Sequence, residues 1–143
     1  MSDPAGPRLS AEDIQGYLDG SPFMSFLGLR VASVDHDRAE LTVTMPMRPE
    51  IERGAGTAQF HGGPVAAFID CVGDFAVALV VGGGVPTINI RIDYLRPAVG
   101  KSITGTARVR RSGRTVTVVD VDVFDEAGAL VAVGRGTYSS QRG

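Results

Sequence analysis

One apolar stretch, residues 61–84, constrains the fold of this 143-residue chain more than any other. It opens with His61-Gly62-Gly63 and a proline, continues almost without a polar residue, and ends in three glycines. A proline is well tolerated in the first turn of a helix, and a run of glycines ends one. The stretch therefore predicts a helix of about five turns, at about residues 63–81. Because this helix is apolar on nearly every face, it has to be buried.

Two aspartates, Asp70 and Asp74, interrupt the apolar helix. A membrane span needs about 20 apolar residues without charges, so the aspartates indicate a soluble core helix. Lying four residues apart, they share one face, where desolvation and mutual repulsion should raise the pKa of at least one. Such carboxylates are candidates for a functional site. A hydrogen-bonded structural role for Asp70, and a cap or an ion pair of Asp74 with Arg91 or another strand arginine, are the alternatives.

The composition argues against several classes of function. The formal net charge is −2 and no basic stripe is visible, which argues against nucleic acid as the main partner. The single cysteine, Cys71, excludes an internal disulfide framework, and its place in the apolar helix indicates a core residue. Two distant histidines supply no metal-ligand cluster. Since the N-terminus lacks a basic-then-apolar signal pattern, we expect a cytoplasmic protein.

Hydrophobic periodicity predicts short helices before the long one, and strands on both sides of it. Ser10 and Asp13 form a capping box for the first helix, and a second helical turn ends at Gly28. Alternating residues predict a hairpin followed, after the long helix, by four strands at about 87–95, 102–110, 115–124 and 129–138. Short connections between the last strands imply antiparallel neighbours. We expect residues 1–8 to be disordered and residues 9–140 to form one α+β domain, a curved antiparallel sheet wrapped around the long helix.

This layout resembles the hotdog-fold thioesterases, and among them the group of the phenylacetate-degradation and Arthrobacter-type 4-hydroxybenzoyl-CoA thioesterases. The resemblance rests on His61-Gly62-Gly63 at the helix start, the acid seven residues beyond the second glycine, and residues 87–98. Within that last segment, residues 93–98 read Asp-Tyr-Leu-Arg-Pro-Ala. The resemblance covers roughly residues 20–140 and implies the hotdog fold for the whole domain.

The resemblance also implies an acyl-CoA substrate bound between the subunits of a homodimer, which is usually paired into a homotetramer. CoA is then part of the substrate, and no separate cofactor or metal is implied. Asp70 matches the catalytic acid, which acts as nucleophile or as general base toward water. Gly62 matches the residue whose backbone N–H polarises the thioester carbonyl. His61 matches the histidine that shapes the turn, either structurally or as part of the catalytic machinery.

Other positions match the substrate-binding part of the family site. Gly63 continues the turn, and Asp74 stands where the family often has a hydroxyl residue that lines the acyl pocket. Thr87 matches a hydroxyl residue that helps to orient water, although an ordinary strand role is equally compatible with the sequence. The turn that contains Arg111 and Arg114 is a candidate for binding the CoA phosphates, or else a solvated hairpin tip.

One position departs from the family pattern. The family usually has an amide side chain six residues before the histidine, where this chain has Ala55. Arg53 takes the place of the amide if the loop carries a two-residue insertion. Alternatively, Gln59 supplies the amide from a shifted backbone. The sequence leaves both assignments open.

Together these features predict an acyl-CoA thioesterase that acts on aromatic or medium-size acyl groups. Two alternatives remain at this point. One is an enoyl-CoA hydratase or acyl carrier protein dehydratase of the same fold, although the Asp-x-Asn-x-x-His pattern of such enzymes is absent before His61. The other is a non-catalytic acyl-CoA-binding protein, which the missing amide at Ala55 keeps open.

Overall fold

The computed structural model describes residues 8–143, in which one curved sheet wraps around one long helix. Apart from Arg8, the predicted disordered N-terminus lies outside the described residues. The helices are α1 (Ala11–Gly20), α2 (Pro22–Leu27) and α3 (Gly62–Val81), with a short 3-10 turn at Pro49–Ile51. The strands are β1 (Arg30–Asp35), β2 (Glu40–Pro46), β3 (Thr87–Tyr94), β4 (Ser102–Ser112), β5 (Val116–Asp125) and β6 (Leu130–Ser139). The predicted α+β hotdog architecture is confirmed.

The six strands form one antiparallel sheet in the order β1-β2-β4-β5-β6-β3. The predicted β1–β2 hairpin and the antiparallel neighbours β4, β5 and β6 are all present. The expectation of neighbouring strands is wrong for β3 and β4, because β3 pairs with β6 at the edge of the sheet. Residues 95–101 link the two strands, and seven extended residues reach about 23 Å, which exceeds the roughly 14 Å of three strand spacings. The connection can therefore cross the ends of β5 and β6.

The long helix α3 fills the concave side of the sheet. It begins one residue before the predicted start and ends at Gly82, whose φ of 88° lies in the left-handed region that glycine adopts readily. By length and composition alone α3 could cross a membrane, but here it is the core helix against which β2 to β6 pack. Strands β4 and β6 approach α3 closely, because a side chain at Gly105 would collide with Phe68 of the helix and one at Gly134 with Ile69.

The two edges of the sheet differ in how well they are protected. At the β1 edge, the Gln15 side chain of α1 bonds to the carbonyl of Leu29 at 3.0 Å and to the N–H of Val31 at 2.8 Å. At the β3 edge, no described residue covers the strand, and Ile88 and Tyr94 are 59% and 55% exposed. A strand with free backbone groups is a template for pairing with another chain. The β3 edge is thus the open one.

Candidate active site

The turn at the start of α3 leaves one backbone amide free. His61 caps the helix in an extended conformation, and its Nδ1 accepts a hydrogen bond from the Gly63 N–H at 3.3 Å. The His61 N–H donates to the carbonyl of Ile51 at 2.9 Å. Between them, the Gly62 N–H has no acceptor among residues 8–143. A free N–H at a helix N-terminus, reinforced by the helix dipole, is a ready donor to an oxyanion.

A cleft of about 340 Å³ opens beside this turn. Gly62 lies in its wall together with apolar residues that include Phe60, Val65 and Leu95. Such a volume is at the lower end of what small-molecule sites in proteins enclose, about 300–1,000 Å³. The free amide therefore borders a space where part of a substrate can lie.

Both residues proposed to replace the family amide line this cleft. The loop folds back on itself, with a bridge between Glu52 and Phe60 and a hydrogen bond of 2.8 Å from the Arg53 N–H to the Gln59 carbonyl. This pairing places the side chains of Arg53 and Gln59 in one wall of the cleft. Ala55 is exposed near the tip of the loop and does not line the cleft. The structure thus brings both candidates to the site rather than choosing between them.

Asp70 lies two turns further along α3 and is half-buried. Its Oδ1 accepts a hydrogen bond of 2.8 Å from the Thr87 hydroxyl, while its Oδ2 has no donor among the described residues. Thr87 is therefore in contact with the acid, as expected if the two share a site. One carboxylate oxygen is held in place and the other remains available to a water molecule or a carbonyl carbon.

Tyr138 supports the helix beneath Asp70 and was missed by the sequence analysis. This buried side chain donates a hydrogen bond of 3.1 Å to the backbone carbonyl of Asp70, and burial raises the pKa of its hydroxyl. A side chain at Gly73 would collide with the same hydroxyl, so glycine is required for the close approach. The alternation of β6 places Tyr138 on the inner face, which is the sequence signal that could have identified it.

Asp74 is half-buried one turn beyond Asp70. Its Oδ1 accepts a hydrogen bond of 2.9 Å from the Val85 N–H. Burial, with a smaller contribution from the Asp70 charge, raises the pKa of Asp74 to about 6, although the Val85 contact opposes the rise. The ion pair with Arg91 is not formed, because Arg91 lies 3.5 Å from Asp93 instead. The predicted rise in the pKa of one of the two carboxyls is therefore found at Asp74.

Replacing Asp74 with asparagine is expected to stabilise the protein at neutral and alkaline pH. The folded state binds the Asp74 proton more tightly than the unfolded chain, so this group costs stability as the pH rises from about 4 through 6, by at most about 3 kcal/mol. Asparagine keeps an acceptor for the Val85 N–H and carries no charge. In denaturant unfolding, the advantage of Asp74→Asn should be larger at pH 8 than at pH 5 by about 1 kcal/mol. An advantage independent of pH would contradict the prediction.

Cys71 lies between the two aspartates in sequence and packs against the core. Burial, followed by the charges of Asp70 and Asp74, raises the pKa of its thiol to about 12. A thiol that stays protonated at neutral pH is a poor nucleophile. The predicted core role of Cys71 is confirmed.

The free amide and the acid are separated along α3 within a single subunit. Gly62 and Asp70 are eight residues apart on α3, which separates them by about 12 Å along the helix axis. An oxyanion donor has to lie about 3 Å from the carbonyl oxygen, and the attacking atom about 3 to 3.5 Å from the carbonyl carbon. This spacing is larger than the two contacts together span, which favours an arrangement in which the two groups come from different subunits.

The predicted basic turn begins later than expected, because Arg111 still belongs to β4 and only Arg114 lies in the β4–β5 turn, and both are far from the Gly62 cleft of their own subunit. In register, Ser112 stands opposite Thr117, Thr117 opposite Tyr138, and Tyr138 opposite Thr87. The turn is thus at the end of the sheet where Thr87 contacts Asp70. Neither arginine lines the cleft.

The curved sheet, the buried helix and the free amide at its start define a hotdog-fold protein with a site suited to a polarised carbonyl. The sequence profile of the family described as "Thioesterase superfamily" matches residues 59–132, just over half of the chain. The chain belongs to this superfamily, and it is a thioester hydrolase.

The names of proteins with related sequences support this assignment. The chain is 36% identical over 136 residues to a Halobacterium salinarum protein named as a candidate esterase, covering 87% of this chain and 88% of the relative. It is 26% identical over 136 residues to the medium/long-chain acyl-CoA thioesterase YigI of Escherichia coli K12, covering 82% and 84%. The similarity spans nearly all of each protein.

Solved structures show the same fold. A protein of the thioesterase superfamily superposes with a TM-score of 0.85 and 30% identity over 92% of this chain and 98% of its own. The PaaI protein from the phenylacetic acid degradation operon of Escherichia coli superposes with a TM-score of 0.79 and 24% identity, over 92% and 93% of the two chains. The resemblance to the hotdog-fold thioesterases is confirmed.

Proposed function

We propose that this protein hydrolyses acyl-CoA thioesters, with aromatic or medium-size acyl groups, to the free acid and CoA. The working unit is a homodimer that joins through the open edges of β3. Each active site combines Asp70 and Thr87 of one subunit with the partner's Gly62.

Two hydrogen bonds at opposite ends of β3 carry this proposal. At the first residue of the strand, the Thr87 hydroxyl donates to Asp70 at 2.8 Å. At its last residue, the Tyr94 hydroxyl donates to the Gly62 carbonyl at 2.7 Å. The strand therefore carries the acid of α3 at one end and the free amide at the other.

Pairing of two β3 strands about a two-fold axis brings these two ends together. Antiparallel pairing sets the first residue of one strand beside the last residue of the other. The Thr87 end, with Asp70, then lies beside the partner's Tyr94 and its free amide. Two equivalent sites result. In each, the acid and the amide come from different subunits, so the spacing of about 12 Å between Gly62 and Asp70 of one helix no longer separates them.

The reaction needs only these groups and water. The thioester oxygen accepts a hydrogen bond from the Gly62 N–H, which stabilises the negative charge that develops on it. Asp70 takes a proton from a water molecule as the water oxygen bonds to the carbonyl carbon, or its carboxylate attacks that carbon directly and forms an anhydride that water hydrolyses after CoA has left. The carbon–sulfur bond then breaks, and CoA leaves as the thiol or thiolate. We favour the general-base route, since Thr87 holds one oxygen of Asp70 and leaves the other free for water.

Cationic side chains at both ends of this composite site suit a phosphate-bearing substrate. Arg53 and Arg96 line the cleft beside Gly62, and Gln59 adds an amide there. Arg111 and Arg114 come from the Thr87 end of the other subunit. Guanidinium groups bind phosphate through paired hydrogen bonds, so these arginines are the candidates for holding CoA. CoA enters as part of the substrate, and the proposed chemistry uses no separate cofactor.

The acyl-CoA class is supported by the name of the Escherichia coli relative, a medium/long-chain acyl-CoA thioesterase. The resemblance to aromatic-acyl thioesterases favours acyl groups of moderate size. A cytoplasmic location and the pairing of dimers into a homotetramer remain predictions. The outer face of the sheet would suit such pairing, since Glu40, Arg108, Asp120 and Arg135 form a cross-strand row of alternating charge.

Complementation between two inactive variants tests the shared site. Chains carrying Asp70→Asn and chains carrying Gly62→Pro should each lose activity when expressed alone. After co-expression in equal amounts, random pairing gives sites that combine an intact Asp70 with an intact Gly62, about a quarter of the total. Thiol release should therefore return to about a quarter of the wild-type value.

The control for this experiment is the recovery of mixed dimers through two different affinity tags. Mixed dimers that stay as inactive as the parent variants would contradict a site shared between subunits. Wild-type protein that binds acyl-CoA and releases no thiol from short-chain, medium-chain or aromatic thioesters would contradict the hydrolysis itself.

A further inference from the structure

We infer that Tyr94 is a positioning residue that fixes the direction of the Gly62 N–H. This inference rests on the proposed function and concerns the same site. Tyr94 is the last residue of β3, and it lines the cleft together with Gly62. Its place in the segment 93–98 indicated no role for its side chain.

Tyr94 and His61 hold the peptide unit between Gly62 and Gly63 from its two sides. The carbonyl of this unit accepts the Tyr94 hydroxyl at 2.7 Å. Its N–H, which belongs to Gly63, donates to Nδ1 of His61 at 3.3 Å. One residue earlier, the His61 N–H is bound to the Ile51 carbonyl at 2.9 Å. The Gly62 N–H is thus the one amide in this turn that is left for a ligand, and its neighbours on both sides are fixed.

A pair of consecutive glycines needs such restraint. Glycine has no Cβ and explores backbone conformations that other residues avoid, so two consecutive glycines at the start of α3 restrain the backbone less than other residues would. A donor stabilises an oxyanion strongly only when it already points at the position where the charge develops. The Tyr94 ring lies beside this turn, since a Cβ added to Gly62 would stand 3.5 Å from its Cζ and hydroxyl oxygen.

The Tyr94 hydroxyl acts through this peptide and not on the substrate itself. Its proton is committed to the Gly62 carbonyl, so the hydroxyl does not serve as a second oxyanion donor. Because Tyr94 stands at the end of the open strand, pairing of β3 with a second copy would pack directly beside the residue that orients the amide. Removing the hydroxyl should therefore weaken transition-state stabilisation more than substrate binding.

Tyr94→Phe tests this inference, with Tyr17→Phe as the matched control. The Tyr17 side chain is similarly exposed, at 48%, and its hydroxyl has no hydrogen-bond partner among the described residues. For Tyr94→Phe we expect kcat for acyl-CoA hydrolysis to fall about 10- to 100-fold while KM changes by less than about 2-fold. Tyr17→Phe should match the wild type in both. Amide hydrogen exchange at Gly63 should be faster in Tyr94→Phe alone.

Three outcomes would overturn the inference. An unchanged kcat in Tyr94→Phe would show that the hydroxyl does not matter for the reaction. A higher KM at constant kcat would make Tyr94 a substrate contact instead of a positioning residue. A lower kcat with unchanged exchange at Gly63 would place the effect outside the turn. If Asp70→Asn is inactive in the same assays, the proposed function stands and only the role of Tyr94 falls. If the wild type releases no thiol from any acyl-CoA, the proposed function and the role of Tyr94 both fall.

Discussion

Asp70→Asn is expected to lower the release of CoA thiol by about 10²- to 10⁴-fold, the range that a positioned general base contributes. Asparagine has nearly the same shape as aspartate, and its amide oxygen can still accept the Thr87 hydroxyl that now bonds to Oδ1 at 2.8 Å. The amide can neither take a proton from water at neutral pH nor attack a carbonyl carbon. The loss should therefore appear in the chemical step and leave the fold intact.

The measurement is thiol release from a panel of short-chain, medium-chain and aromatic acyl-CoA esters. Asp37→Asn is a suitable control, since the Asp37 side chain is 98% exposed and lies in the β1–β2 turn. Thermal unfolding of both variants should stay close to that of the wild type. Equal rates in Asp70→Asn and the wild type would remove Asp70 from the mechanism and leave it as a structural partner of Thr87.

The fold was largely predictable because its strongest signals are local. The apolar run and its glycine stop predicted α3 to within one residue at the start, and the alternating segments predicted each strand. The place of β3 beside β6 was not predicted, because neighbours in a sheet depend on pairing between distant residues. Short connections were a misleading guide there, since residues 95–101 are long enough to pass two strands.

The residues of the candidate site that could be predicted are the charged ones that stand among apolar neighbours in the sequence. Asp70 and Asp74 stood out because carboxylates are rare in an apolar helix, and the pKa of Asp74 is in fact raised. Tyr94 and Tyr138 fit their strands without conflict, and the alternation of β6 indicated only that Tyr138 faces inward, not what it contacts. Their roles come from hydrogen bonds to carbonyls of α3 that are 32 and 68 residues away along the chain. The contribution of the loop between Arg53 and Gln59 was also hidden from the sequence, because its backbone pairing decides which side chains reach the cleft.

Gly62→Pro is expected to lower kcat/KM by about 10²- to 10³-fold, the cost of removing one oxyanion donor. The substitution deletes the N–H and fits the local backbone in other respects. Gly62 is the first residue of α3, a position that proline favours because its N–H has no partner within the helix. His61 has φ −63° and ψ 149°, the extended conformation that a following proline requires.

Gly62→Ala is the matched variant, because it adds carbon at the same place and keeps the N–H. A Cβ there would lie 3.5 Å from the Tyr94 ring, which is an ordinary van der Waals contact. We expect kcat/KM of this variant to remain within a few-fold of the wild type. The difference in kcat/KM between the two variants then measures what the Gly62 N–H contributes. Similar losses in both would show that space at the turn, and not the amide, limits the reaction. Full activity in Gly62→Pro would mean that another group polarises the thioester carbonyl.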